Sequence, residues 1–244
     1  MKNKYKILNP ILHCDSQKFN RIADVSRDSW MKENKQNDIF SFFYQGGSEQ
    51  SHLCNDVLKL ACEDSWKKEH STSYVSTIKM IKMFEYCLES FHFDFLFRTS
   101  SSTYVSYKRL LEHCKDIKPN LYYGGKVVTK NCNDTHNEDI TYCFGHGFIL
   151  SYDLVKLLVS NQDELLSYDL IDDIAVGKFL FSQNIEAKST DMQNDRWFEP
   201  DTIEQLKLIY AHRCKPQKRP INEDEWVGHL KHCFELLDQT NQLK

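Results

Sequence analysis

The chain has 244 residues, 41% of them hydrophobic, and a net charge of −4 at pH 7. That is enough apolar material for one sizeable α/β core, while the acidic balance excludes the global basic field that holds nucleic acid by its phosphates. Only 8 glycines and 5 prolines exclude a linker-rich chain, and no stretch approaches the roughly 18 apolar residues of a membrane span.

The opening MKNKYKILNPILHCD has no long apolar region, so neither a signal peptide nor a membrane anchor is expected. Residues 5–14 read as a first strand that Pro10 threatens to shorten. Asp15 and Ser16 offer cap chemistry for a helix through FNRIADVSRDSWMK. DIFSFFY (38–44) reads as a second strand ended by Gly46 and Gly47. DVLKLACED is a third strand or a short helix, and SYVSTIKMIKMFEYCLESF has apolar residues at helical spacing. FDFLFRTSSSTYV reads as a buried strand running into a polar elbow, and SYKRLLEHCKDI as a helix. YYGGKVV is a strand and TKNCNDTHNEDI a surface loop, after which YCFGHGFILS returns to an apolar run. SYDLVKLLVSN is an amphipathic helix, and SYDLIDDIAVGKFLFSQN an acidic loop entering another. Strands and helices alternate, which predicts an α/β fold with a mostly parallel, Rossmann-like central sheet flanked by helices. Ligands of such sheets bind at the carboxyl ends of the strands, where the elbow after FDFLF lies.

Nine cysteines stand apart, from Cys14 to Cys233, with no CxxC pair. A zinc ribbon or dithiol redox site is therefore not expected, and several sit in apolar runs as small core residues. This predicts a reducing, cytoplasmic setting. The Lys-, Asn- and Ile-containing style with little Ala suggests an A/T-rich genome, viral or bacterial. The 15 Phe and 12 Tyr are chiefly core material, though an aromatic face can also floor a sugar site.

Three stretches, in this order, resemble one family. They are Phe95-Leu96-Phe97-Arg98-Thr99-Ser100-Ser101-Ser102-Thr103-Tyr104-Val105, Gly145-His146-Gly147-Phe148-Ile149-Leu150-Ser151 and Asp172-Asp173-Ile174-Ala175-Val176-Gly177. They resemble the β-1,3-galactosyltransferase and Fringe-like glycosyltransferases. That family carries Lys-Thr-Asp-Asp-Asp, Gly-Gly-Gly-Tyr-Val-Leu-Ser and Glu-Asp-Val-x-x-Gly at these places. RIADVSRDSW (21–30) and Thr77-Ile78-Lys79 are weaker echoes, and the resemblance covers roughly residues 8–190.

The resemblance implies a glycosyltransferase A fold in a single domain over 1–244. Residues 1–105 would form a nucleotide-sugar-binding half, 106–195 an acceptor and catalytic half, and 196–244 a basic C-terminal segment with a helix. It implies an enzyme, an inverting transferase that moves a hexosyl or pentosyl unit from a nucleotide-sugar, most simply a UDP-sugar, to a glycan or glycoprotein hydroxyl. Asp173 would be the base and Asp172 its neighbour, because in-line attack needs a carboxylate to take the acceptor proton. The other reading of this pair is a helix cap. The donor would meet Cys14, Asp15 and Ser16 at the first strand end, Lys79, Arg98, the elbow of Ser100, Ser101 and Ser102, and the basic run His212, Arg213 and Lys215. The acceptor would meet Gly145, His146, Gly147 and Trp197.

The departure from the family is at the elbow. Three serines replace the aspartates that hold Mn²⁺ or Mg²⁺, and neutral hydroxyls ligate these ions poorly. Metal-independent transfer with no cofactor is the expectation, with Arg and Lys near the C-terminus neutralising the diphosphate instead. The competing expectation is an inactive relative that binds glycans or a protein. A third reading, an unrelated α/β hydrolase or nuclease, is disfavoured by the lack of a Gly-x-Ser-x-Gly elbow or a P-loop.

Overall fold

A computed structural model of the chain describes residues 2–33, 38–64, 72–131, 139–190, 192–193, 210–214 and 222–242. Strand β1 (Asn3–Leu12) lies near the middle of an eight-stranded sheet, with β2 (Ile39–Gln45) on one side and β5 (Phe91–Ser100) on the other, both parallel to it. Beyond β2 come β4 (Val57–Lys59), parallel, and β3 (His52–Cys54), antiparallel. Beyond β5 come β8 (Asp139–Ser151) and β7 (Tyr123–Asn131), both antiparallel to their neighbour, and then the short β9 (Lys188–Ser189), parallel to β7. A second sheet of three strands pairs β6 (Thr103–Val105) with β11 (Ala211–Arg213), and β11 with β10 (Met192–Gln193). The expected α/β architecture with a sheet parallel at its centre is therefore present.

Pro10 does not shorten β1. Its register with β2 continues unbroken through Phe42, while the ladder toward β5 skips Asn9 and Pro10. The side-chain amide of Asn9 fills the gap: its Nδ2 donates to the carbonyl of Phe97 at 2.7 Å and to Thr99 Oγ1 at 3.0 Å. A neighbouring side chain thus supplies the N–H that proline lacks.

Helices cover both faces of the sheet, as the alternation of side chains requires. On one face Ile7, Phe95, Phe97 and Ile149 pack with helices α1 (Gln17–Asp28), α3 (Tyr107–His113) and α7 (Glu223–Gln242). On the other, Leu8, Leu96, Phe148 and Leu150 pack with α2 (Thr72–Ser90), α4 (Tyr152–Ser160), α5 (Gln162–Ser167) and α6 (Asp172–Ser182). Each such side chain contributes about 1.5–3 kcal/mol when removed from water. Helix α6 lies close on β8 because Gly177 has no side chain: a Cβ there would fall 2.2 Å from Cβ of Tyr142. Helix α7 is tied to the small sheet by Tyr104, whose hydroxyl donates to Asp238 at 2.7 Å and whose ring packs on Phe234.

Candidate active site

Parallel strands point their carboxyl ends the same way, and β1, β2 and β5 end together: Leu12 is in register with Tyr44 on one side and with Ser100 on the other. This common edge carries two clusters.

The first lies at the ends of β1 and β2. Lys79, buried on α2, sends its ammonium to Asp64 at 2.6 Å and to the His13 carbonyl at 3.2 Å. The Asp64 carboxylate also accepts the backbone N–H groups of Asp15 at 2.8 Å and Gly46 at 3.1 Å. Burial pushes the Asp64 carboxyl up, but the Lys79 hydrogen bond and these two N–H groups outweigh it, and the net shift is downward. Lys79 is thus placed in an internal ion pair rather than on a solvated helix face. Cys14 is buried with its thiol pushed up to about 11 by burial, and Ser16 caps α1, its Oγ accepting from the N–H of Phe19. Of the three residues expected at the nucleoside, Asp15 and Ser16 are exposed at this strand end and Cys14 is buried. Asp64 was not anticipated. It stands in no motif, and only its contacts reveal it.

The second cluster lies at the end of β5. Arg98 is a mid-strand arginine with 2% exposure, and each of its nitrogens has a protein partner. Nη2 donates to the Asp172 carboxylate, Nη1 to the Gly145 carbonyl, and Nε to the Tyr44 hydroxyl at 3.2 Å. The guanidinium also lies over the Phe148 ring at 5.6 Å. Burial is the largest single influence and works against its charge, but Asp172, Tyr44 and Asp173 together outweigh it and raise its pKa. The Tyr44 hydroxyl, likewise buried, is pushed up to about 12. Arg98 was expected to face the donor phosphates. In the structure its guanidinium is engaged by Asp172.

Asp172 and Asp173 occupy the first turn of α6, after an N-cap at Ile171, and are 6% and 4% exposed. Neither is the N-cap itself. Asp173 Oδ1 accepts the N–H of Ile174 at 3.0 Å. Its carboxyl is raised to about 7, first by burial and then by the negative charge of Asp172, against the lowering pull of Arg98. A carboxyl in that range exchanges protons at neutral pH.

Strand β8 brings the glycines here. A Cβ on Gly145 would lie 2.6 Å from Asp173 Oδ2, and one on Gly147 would lie 2.6 Å from Met192 and 2.9 Å from Phe97. Neither glycine has a positive φ, so the need for glycine is contact with side chains, not an unusual backbone. His146, between them, is buried beside the Phe144 ring, and its carbonyl accepts from Thr103 Oγ1 at 2.7 Å. That bond fastens the elbow to β8. Within the elbow, Ser100 Oγ lies 3.2 Å from Ser102 Oγ and 3.1 Å from Thr103 Oγ1. Ser101 and Ser102 are buried, and the Ser102 carbonyl accepts the N–H of Cys214. The antiparallel pairing of β6 with β11 sets Arg213 opposite Thr103 and His212 opposite Tyr104. His212 has no exposed surface, whereas Arg213 is half-buried with its guanidinium 4.7 Å from the Phe144 ring centre. The two stretches most distant in sequence, the elbow and the start of the basic run, are thus neighbours. Trp197 and Lys215 lie outside the described residues.

No protein-family profile matches the chain, and no curated protein matches it. Among solved structures it is similar to a glycosyltransferase involved in the glycosylation of the major capsid of PBCV-1. The TM-score is 0.47 and the identity 12%, over 93% of this chain and 99% of that one.

Among the described residues no three His, Cys, Asp or Glu side chains converge as a metal-binding group. The elbow presents serine hydroxyls, and the Asp172 carboxylate is engaged by Arg98.

Proposed function

We propose that the chain is an inverting glycosyltransferase that uses a nucleotide-sugar, most simply a UDP-sugar, and needs no divalent metal. The observation that carries this reading is the meeting of the serine elbow, the Gly145–Gly147 segment and a buried carboxyl titrating near neutral pH at one edge of the sheet. These are the three stretches in which the sequence resembles the family, and they are far apart in the chain.

In the proposed reaction the acceptor hydroxyl gives its proton to Asp173 as its oxygen attacks the anomeric carbon. The bond from that carbon to the diphosphate oxygen breaks on the opposite face, and the nucleoside diphosphate leaves with the electron pair. One displacement inverts the anomeric centre. Charge building on the leaving diphosphate is met by the Arg213 guanidinium, with hydrogen bonds from the Ser100 and Ser102 hydroxyls. The nucleoside lies toward the end of β1, where the exposed Asp15 carboxylate accepts from a base N–H or a ribose hydroxyl. Gly145, His146 and Gly147 form the acceptor side.

A base must be ionised to act. With the Asp173 carboxyl raised to about 7, turnover should rise with pH through that region and level off above it. The test is sugar release or transfer from a panel of UDP-sugars by the wild type and by Asp173→Asn. Loss of a general base lowers turnover by about 10²–10⁴-fold, and donor affinity should hardly change. Parallel loss of donor binding would assign Asp173 a structural role. Absence of turnover in the wild type with every donor would favour a glycan-binding, inactive domain.

A further inference from the structure

Two adjacent carboxyls at the start of one helix share a single buried cation, and they share it unequally. Arg98 donates to Asp172 but not to Asp173, and its remaining donors go to the Gly145 carbonyl and the Tyr44 hydroxyl. Asp173 instead takes the backbone N–H of its own next residue, accepts a backbone hydrogen bond from Gly145, and lies where a side chain on Gly145 would stand. Gly145 therefore stands between the two groups: its carbonyl is fixed by Arg98 and its α-carbon borders Asp173. The guanidinium is itself held from three elements, by Tyr44 on β2, Phe148 on β8 and Asp172 on α6. Among the described residues, the groups that face Asp173 electrostatically are Asp172 on its own helix, Arg98 on β5, Tyr123 on β7 and Cys143 on β8.

We infer that Arg98 is a positioning residue that divides the work of the aspartate pair: it binds Asp172 inward as a fixed counter-charge and leaves Asp173 to take up and release the proton. The inference rests on the reading of Asp173 as the base and adds what sets that base. An arginine fork suits this task because it grips a carboxylate and a carbonyl at once in a fixed geometry, which an ammonium cannot do. Asp172 then acts on its neighbour through repulsion, which favours the protonated form of Asp173, and Arg98 acts through attraction, which limits that effect. The site is tuned by two opposing buried charges, so removing either moves the balance in a known direction.

The experiment is a carboxyl titration of the full chain labelled with ¹³C-aspartate, followed by NMR, with Asp173→Asn assigning the Asp173 signal. No substrate is needed. The wild-type midpoint should lie near 7. In Asp172→Asn the repulsion is gone while Arg98 stays, and the midpoint should fall by about one unit or more. Adding Arg98→Met to Asp172→Asn should raise the midpoint again, because the attraction is now gone as well. That double variant removes both members of the ion pair, so below the Asp173 midpoint no buried charge is left without its partner and the chain remains foldable. Arg98→Lys keeps a cation without the fork, so its midpoint should stay near the wild-type value while turnover falls. Equal midpoints in Asp172→Asn and the double variant overturn the inference, whatever the turnover. Midpoints that move as stated in a protein that transfers no sugar leave the charge tuning standing and remove the glycosyltransferase reading.

Discussion

Replacing Asp173 by asparagine should stabilise the protein above neutral pH while disabling it. The carboxyl rises from an ordinary 3.8 to about 7 on folding, mainly through burial and the charge of Asp172. A raised acid has a definite sign: its stabilising contribution is fully present below the unfolded pKa and is lost as pH climbs through the folded pKa. At pH 8 the wild type must keep a buried charge that the unfolded chain would hold in water. Three units correspond to about 4 kcal/mol as an upper bound. Sharing of the proton with Asp172 reduces this, and so does the amide NH₂ that asparagine sets toward donors already there. A net gain of about 1–3 kcal/mol at pH 8 remains, or several degrees in Tm for a chain of this size. Near pH 4 the gain should vanish, since the wild-type carboxyl is then protonated when folded. The assay is thermal unfolding of both proteins from pH 4 to pH 8.5. A Tm difference that does not change across that range would refute the assignment of a buried, neutral-range carboxyl to Asp173.

Three further outcomes follow from contacts elsewhere. Gly177→Ala places a methyl 2.2 Å from Tyr142 Cβ and 2.9 Å from its Cα, so α6 must move off β8. A loss of about 1–3 kcal/mol by chemical denaturation is expected, although alanine is the better helix former; a gain would show that the helix is free to shift. Lys79→Met leaves Asp64 without its cation and should cost about 3 kcal/mol at pH 7. Asp64 is depressed on folding, so its contribution is present above its unfolded pKa and fades as pH falls; a deficit that grows toward acid would contradict the pairing. Asn9→Leu removes the amide that serves the Phe97 carbonyl beside Pro10 and should cost about 1–3 kcal/mol. Equal unfolding midpoints would mean that the proline gap needs no filling.

What could be read from the sequence is what period and local chemistry encode. Strands β1, β5 and β8 show as apolar runs with turn signals, α2 and α4 as helical spacing, and Ser16 as a cap that the structure confirms by its bond to Phe19. The three-residue β3 and the six-residue α5 have no run long enough to show a period, and neither was anticipated. Pro10 argued for a broken strand because the side chain that repairs it, Asn9, works through space to β5. The elbow serines and the Asp172–Asp173 pair stood out in the sequence because they occur in recognisable order. The roles of the cations did not. Arg98, beside the elbow, and Lys79, on the helix before β5, were read as donor contacts; their protein partners, Asp172 and Asp64, lie 74 and 15 residues away and only folding brings them together. Gly145 and Gly147 were read as acceptor contacts; in the structure a Cβ on either would meet the side chains of Asp173, Phe97 and Met192.

The central claim is binding of a nucleotide-sugar at the strand ends without a metal. Isothermal titration of the full chain with UDP, other nucleoside diphosphates and UDP-sugars, each with and without EDTA, tests it most directly. The account predicts saturable, nucleotide-selective binding that is unchanged by EDTA and weakened by Arg213→Ala. Binding that disappears in EDTA and returns only with Mn²⁺, or no binding of any nucleotide under either condition, would contradict it.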